Sequence, residues 1–306
     1  PEFGTSFVRG MLIDTLPSTF AQLVKISGLS HGTDVWLGNA QDLILGKTKF
    51  GKIGFDDIIC CRDDIMIGLA QISGFEPKKA FEIMEFVRKG KVAKSPDKWA
   101  PYKSYMEEHN VPEWYMWTCE KIKYLFPKAH ATAYVMMALR IAWFKLHSPK
   151  LFYSAWFSKR AKIYSINEYI KGPDAIRNKI NEINNKSRSE KTAKDEDMVT
   201  ALEVALEMTL RGYKFLPVDI FKSDATIFLV EEEGIRCPFA SMDGLGPNAA
   251  IDIAEKRAEK PFTSKKDVLK RTKLNQTLFE EFNRMHAFGD LPDDDPEKEV
   301  GLFAFM

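Results

Sequence analysis

The chain has 306 residues, 45% of them hydrophobic and 28% charged, the balance of a globular protein with apolar residues for more than one core. No uninterrupted apolar run approaches the roughly eighteen residues of a membrane-spanning helix, so a membrane role is not expected. With 44 basic and 43 acidic residues the net charge is +1, and bulk charge alone does not point to nucleic acid.

Its distribution is more informative. From Lys78 to Lys103 eight Lys and Arg face three acids, and Lys121, Lys123, Lys128, Arg140, Lys145 and Lys150 follow Glu120. Acid collects near the end, at Asp290, Asp293, Asp294, Asp295, Glu297 and Glu299, so a near-neutral sum hides a basic centre and an acidic tail. Cys60, Cys61, Cys119 and Cys237 form no C-x-x-C pair and no Cys/His ligand spacing. Structural zinc and a disulfide framework are disfavoured, and a reduced, cytoplasmic protein is expected. A first residue of Pro1 rather than Met reads as part of something longer.

In chain order, the first 170 residues read as helical. Phe75-Ala80-Ile83 and Phe81-Met84-Val87 recur at helical spacing, and Glu76-Pro77 marks a helix start. Asp63-Asp64 is an acidic pair suited to the positive end of a helix dipole. Loops are expected at 94–97 and 110–113. From Ala129 to His147 the chain lacks Gly and Pro and is apolar almost all round, which predicts a helix buried on most of its surface. Lys171-Gly172-Pro173 opens a second segment, with a polar loop over 184–197 and a helix from Thr200 to Arg211 ended by Gly212. Thr226–Val230 and Ile235–Cys237 around a Glu-Glu-Glu-Gly turn predict a small β-hairpin.

From Phe239 to Gly289 two short helix pairs are expected. In the first, an apolar segment runs into Gly244-Leu245-Gly246 and Pro247 starts a helix at once. The glycines allow a tight turn and a close backbone approach, and the amides of the new helix suit an anion such as a DNA phosphate. This resembles a helix-hairpin-helix motif, with Leu245 packed between the helices and Gly244, Gly246, Asn248 and Ala249 toward the backbone. A looser copy follows, from Ser264 to Leu269, through Thr272-Lys273-Leu274, to Asn275–Met285, with Lys273 at its turn. The bland alternative is a plain helical hairpin with a glycine turn.

Phe126-Pro-Lys-Ala-His-Ala-Thr-Ala-Tyr134 places Lys128, His130 and Tyr134 at helical spacings, His130 and Tyr134 four apart. A cation, an imidazole and an aromatic face suit a triphosphate and a base; a satisfied core His and Tyr fit the residues equally. The string, with its helix to Lys145-Leu-His-Ser-Pro149, resembles the fingers of bacterial class C replicative DNA polymerases. Pro1–Thr5, Ser27–Gln41, Phe86-Val-Arg-Lys-Gly-Lys91, Val111-Pro-Glu-Trp-Tyr115 and Ile170-Lys-Gly172 resemble the PolC type of the DNA polymerase III alpha subunit.

The resemblance implies template-directed primer extension with release of pyrophosphate, using two Mg²⁺ ions on palm carboxylates. Asp56-Asp57, Asp63-Asp64 and Asp293-Asp294-Asp295 do not match the palm motif, so no catalytic or metal-binding residue is expected in this chain, nor polymerisation by it alone. It implies incoming dNTP on Lys128 and His130, with Tyr134 packed on the nascent base pair. Arg88, Lys89 and Lys91 are the next phosphate candidates, and His31, Thr33, Asp34 and Asn39 lie in a polar run that resembles an active-site segment or a helix-capping turn. The tail keeps two apolar anchors of a sliding-clamp peptide, Leu302 and Phe303, with Glu299 where the family has Gln.

The expected architecture is therefore mainly α. It has helical fingers over 1–170, connecting helices and a small β-hairpin over 171–237, a tandem helix-hairpin-helix domain holding primer-template duplex over 238–290, and an acidic tail over 291–306. The rest of a polymerase chain is the implied partner. A non-catalytic helix-hairpin-helix DNA-binding or repair accessory protein is the alternative, and a clamp-docking scaffold a third reading.

Overall fold

Capping side chains and prolines set many of the helix starts. In the computed structural model, which describes residues 3–294, Thr5 accepts the amide of Val8 to open α1 (Ser6–Thr15) and Thr19 that of Gln22 to open α2 (Phe20–His31). A kinked turn over Trp36–Ala40, with Gly38 at φ 66°, leads into α3 (Gln41–Ile44). Then come α4 (Arg62–Ser73), ended by Gly74 in the left-handed region, and α5 (Pro77–Val87), started by its proline. α6 (Lys91–Lys94), α7 (Pro96–Glu108), α8 (Glu113–Lys121) and α9 (Lys128–His147) follow.

The chain divides into two compact units, one ending at Ala142 and the next beginning at Trp143, ahead of the boundary near 170 suggested by the sequence. The first unit has a core of its own, in which Ile26, Leu29, Ile65, Ile83, Tyr115 and Cys119 are almost wholly buried. On the core face of α5, Ala80, Ile83, Met84 and Val87 are buried, whereas Phe81 is exposed. Each fully buried aliphatic side chain there contributes about 2 kcal/mol of apolar transfer. Glycine permits close approaches here: a Cβ on Gly28 of α2 would stand 2.4 Å from Cys61 Sγ, and one on Gly68 of α4 2.9 Å from the Tyr115 hydroxyl.

One expectation fails here. The helix from Ala129 to His147 forms, but only Ala131 and Val135 of α9 are buried. Met136, Met137, Leu139, Ile141, Trp143, Phe144 and Leu146 are all exposed. Apolarity all round says that a helix favours cover; it does not say that the same stretch of chain supplies it.

The second unit contains α10 (Pro149–Lys159), α11 (Ile166–Lys171), α12 (Pro173–Asn184) and α13 (Ala193–Leu210). α13 starts well before the expected Thr200, because Thr192 and Asp195 form a reciprocal capping box. β1 (Phe215–Leu216), β2 (Leu229–Val230) and β3 (Ile235–Arg236) form a sheet in the order β1-β3-β2. The expected hairpin is the antiparallel pair β2–β3; β1 adds a parallel strand, Phe215 opposite Ile235. A single 3-10 turn, Phe239–Ser241, takes the place of the first helix expected in the first hairpin. α14 (Pro247–Glu259), α15 (Lys265–Arg271) and α16 (Gln276–Arg284) complete the described chain. Phe157, Tyr169, Phe228, Phe239, Phe282 and Phe288 fill the core of this unit.

Candidate nucleotide- and DNA-binding sites

In the first unit three distant segments are knitted together beside α9. Thr33 pairs with Tyr124 as an antiparallel bridge. Its amide donates to Tyr124 O at 3.0 Å, and its carbonyl accepts from Lys123 N at 3.1 Å and Tyr124 N at 3.3 Å. The same strand continues to other partners: Leu125 N donates to Arg88 O at 3.3 Å, and Arg62 N to Phe126 O at 3.1 Å. Gly90 makes the approach possible. It sits at φ +63°, and a Cβ there would lie 2.6 Å from Lys123 O.

This knit gathers the predicted basic residues but leaves few of them unpaired. Arg88 and Lys89 share one carboxylate, that of Glu85; Arg88 holds it with two nitrogens and Lys89 Nζ stands 2.7 Å away. These hydrogen bonds, Arg88 first, lower the Glu85 pKa to about 2. Lys123 is ion-paired with Asp34 at 2.6 Å, and Asp34 itself has φ 55°. Lys121 donates to Gly38 O at 2.6 Å and lies 3.8 Å above the Trp117 ring. Lys91 is exposed, with no carboxylate partner among the described residues. Asn39 faces inward instead: it is wholly buried, and its amide donates to Asp34 O at 3.0 Å, bracing the turn.

Next to the knit is an aromatic face. The His31 ring stacks on Phe126 with centroids 4.9 Å apart, and its Nδ1 lies 2.8 Å from Ser27 O. His130 meets Phe126 edge-on at 5.0 Å and Tyr134 at 4.6 Å, while Tyr134 is 6.2 Å from His31. The fold thus joins His31 to the α9 pair, leaving Tyr134 44% exposed, open to stack on a planar group. Phe126, not singled out from sequence as a site residue, is the platform on which both imidazoles rest.

Lys128 turns to the other side of α9. Its amide donates to Asp63 Oδ2 at 2.8 Å, and its ammonium lies 3.2 Å from Asp64 Oδ1. Burial pulls the Lys128 pKa down, but the Asp64 charge and hydrogen bond outweigh it and the pKa is raised. Lys128 and Asp64 line an open cleft of about 560 Å³ with Lys25, Lys52, Asp56, Asp57 and Trp114; His130 and Tyr134 do not line it. Lys25 donates to Ile58 O at 3.0 Å. No sequence signal marked Lys25 or Lys52, because they reach this cleft only through the tertiary fold.

In the second unit, Gly244 takes φ +81°, Leu245 is buried at 4% exposure, and Gly246 caps α14. Leu245 N is given to Met242 O and Ala249 N to Gly246 O, both at 3.1 Å, whereas the amides of Gly246 and Asn248 have no acceptor among the described residues. Those two are the donors that this turn can offer an anion. The second pair has the shape read from the sequence: α15, a turn over Thr272–Leu274 with Leu274 buried, and α16 capped by Asn275. Its exposed Lys273 donates its amide to Asp252 Oδ2 on α14 at 2.7 Å, tying one hairpin to the other. Arg271 is committed to structure, bonding the carbonyls of Lys256 and Lys260 at the end of α14 and the Asp267 carboxylate at 3.0 Å. Asp293 and Asp294 lie against α15, paired with Lys265 at 2.8 Å and Lys266 at 2.6 Å. Leu302 and Phe303 lie outside the described residues.

Comparison with known proteins agrees with both halves. Residues 1–110 match the model of the bacterial DNA polymerase III alpha subunit finger domain, and residues 212–296 that of a helix-hairpin-helix motif. The chain is 50% identical over 303 residues, 99% of its length, to a PolC-type DNA polymerase III of Oceanobacillus iheyensis. The values are 49% over 303 residues for Bacillus subtilis and 50% over 293 residues, 96% of the chain, for Thermotoga maritima. Over nearly its whole length the chain is similar to a segment of PolC-type DNA polymerase III. It spans about a fifth of the length of these curated relatives, 20% of the first two and 21% of the third.

The PolC-type resemblance also implied Mg²⁺. Among the described residues no three or more His, Cys, Asp or Glu side chains come together as metal ligands, so these residues do not fit such an ion. The four cysteines are buried free thiols. No described helix is long and apolar enough to cross a membrane.

Proposed function

We propose that this chain provides incoming-nucleotide and duplex-DNA contacts of a replicative, cytoplasmic DNA-directed DNA polymerase. The observation that carries the reading is its identity of about half over 99% of its length to PolC-type polymerases. In this reading the first unit is the fingers. Lys128, at the cleft, meets the triphosphate; His130 does not line that cleft and stands with Tyr134 on the other side of α9, where Tyr134 packs on the nascent base pair, and Arg88, Lys89 and Lys91 are the next contacts for triphosphate or template phosphate. The free amides of Gly246 and Asn248, with Lys273, hold the backbone of the primer-template duplex without reading its sequence. Nucleotidyl transfer, with its Mg²⁺ ions, belongs to the palm of the polymerase.

The experiment uses the polymerase that contains this segment. Lys128→Ala with His130→Ala should raise KM for dNTP about tenfold or more while leaving the Kd for primer-template unchanged. Unaltered nucleotide kinetics would refute the assignment of α9. The tail is read as a sliding-clamp peptide anchored by Leu302 and Phe303, a reading from sequence alone. Deleting residues 299–306 should abolish clamp binding, and undiminished binding would remove the tail from that role.

A further inference from the structure

The carboxylate behind Lys128 has a role of its own. Asp64 is fixed by the backbone: its Oδ2 accepts Cys60 N at 3.0 Å and Cys61 N at 2.9 Å, leaving Oδ1 to face the Lys128 ammonium at 3.2 Å. Its neighbour Asp63 holds the Lys128 amide, so two consecutive carboxylates on the first turn of α4 grip the first residue of α9 at both its ends. The order of the layers matters. The Asp64 side chain is 13% exposed and that of Lys128 44%, so the carboxylate lies on the protein side and the ammonium on the solvent side. Of this pair, a ligand entering the cleft meets the ammonium before the carboxylate, although the exposed Asp56 and Asp57 line the cleft as well.

We propose that Asp64 is a positioning residue for Lys128, fixing its ammonium at the mouth of the cleft lined also by Lys25 and Lys52, so that the phosphates of an incoming nucleoside triphosphate meet a pre-oriented cation. The inference rests on the reading of Lys128 as a triphosphate contact. Lysine loses rotamer entropy when it is fixed, and holding it before the ligand arrives removes part of that cost from binding. The short aspartate arm, locked to two amides, is what makes the anchor rigid. A capping role alone is satisfied by any acceptor for Cys60 N and Cys61 N and gives no reason for the ammonium to be aimed.

The test is a double-mutant cycle in the intact polymerase, reading KM for dNTP, kcat, and primer-template Kd for Asp64→Asn, Lys128→Met and the pair. Asn keeps an acceptor for the two amides but loses the charge. Asp64→Asn should raise KM about five- to tenfold, with kcat and DNA binding changed less than about twofold. On top of Lys128→Met it should add nothing, and Asp64→Glu should restore part of the loss. If Asp64→Asn worsens KM by the same factor with and without Lys128, Asp64 acts on the fold and the proposal is overturned. If Lys128→Met raises KM but Asp64→Asn does not, the proposal falls alone. If Lys128→Met leaves KM unchanged, the triphosphate reading falls and takes the proposal with it. Should Asp64→Asn not fold, Asp64→Ser, which also offers an oxygen acceptor and carries no charge, takes its place in the cycle under the same criterion.

Discussion

At Gly90 the first unit is sensitive to a single methyl group through backbone conformation and space at once. Replacing it with Ala has two separable costs. An alanine at φ +63° carries a left-handed backbone, worth about 1 kcal/mol. The added Cβ would also lie 2.6 Å from Lys123 O and 3.0 Å from Lys123 Cα, both backbone atoms. Relieving that overlap moves the strand bonded to Thr33 and Arg88, at an overpacking cost of about 1–3 kcal/mol. Gly74 supplies the internal control, with φ +60° and nothing within 4 Å of its hypothetical Cβ. Gly74→Ala should therefore lose about 1 kcal/mol and Gly90→Ala about 2–4 kcal/mol. Asn, which tolerates the left-handed region, should recover most of the loss at 74 and little at 90. Urea unfolding of the chain followed by tryptophan fluorescence measures both. Equal losses at the two glycines would show that Lys123 yields freely and that the close approach is not a constraint.

Three further outcomes are expected. Among the described residues from 238 onward, Lys260, Lys270 and Lys273 have no carboxylate partner, whereas Lys256, Lys265, Lys266, Arg271 and Arg284 do; Lys273→Ala should flatten the log K against log salt slope for duplex by about 0.9 without changing sequence preference, and an unchanged slope would place Lys273 away from phosphate. With its pKa depressed to about 2, Glu85 contributes stability that is fully present above its usual range near 4.5 and is lost as pH falls through about 2; the stability gap between Glu85→Gln and the parent chain should shrink over that window, and a gap constant from pH 6 to 2 would contradict the shared ion pair. Burial pushes all four thiols up, Cys61 to about 12, so a thiol-reactive disulfide reagent at pH 8 should label the chain only after unfolding, and rapid labelling of the native chain would show that these sites open.

The sequence carried the local features well. The prolines at 77 and 173, the glycine after α13 and the spacing on α5 need only neighbours along the chain, and each appears in the fold. The sequence reading grouped Lys128 with His130 on one triphosphate, whereas two helical residues two apart lie about 200° apart, and the fold sets them on opposite sides of α9. What could not be read was long-range. Nothing local in Thr33 announces Tyr124, and nothing local in Lys25 or Lys52 announces Lys128. A strand of two residues such as β1 has no period to detect, and α9 shows that an apolar composition does not reveal its own exposure.

The extended segment over 123–126 ties three parts of the first unit together. Its hydrogen bonds run to Thr33, Arg88 and Arg62, which lie just after α2, just after α5 and at the start of α4. None of these bonds can be broken alone without moving a backbone that holds the others. In hydrogen exchange the amides of Thr33, Lys123, Tyr124, Leu125 and Arg62 should share one opening free energy, although they belong to no common helix. In such an opening His31, Lys91, Lys123 and Phe126 should lose their arrangement together, and separate exchange rates at these amides would show that the region loosens residue by residue.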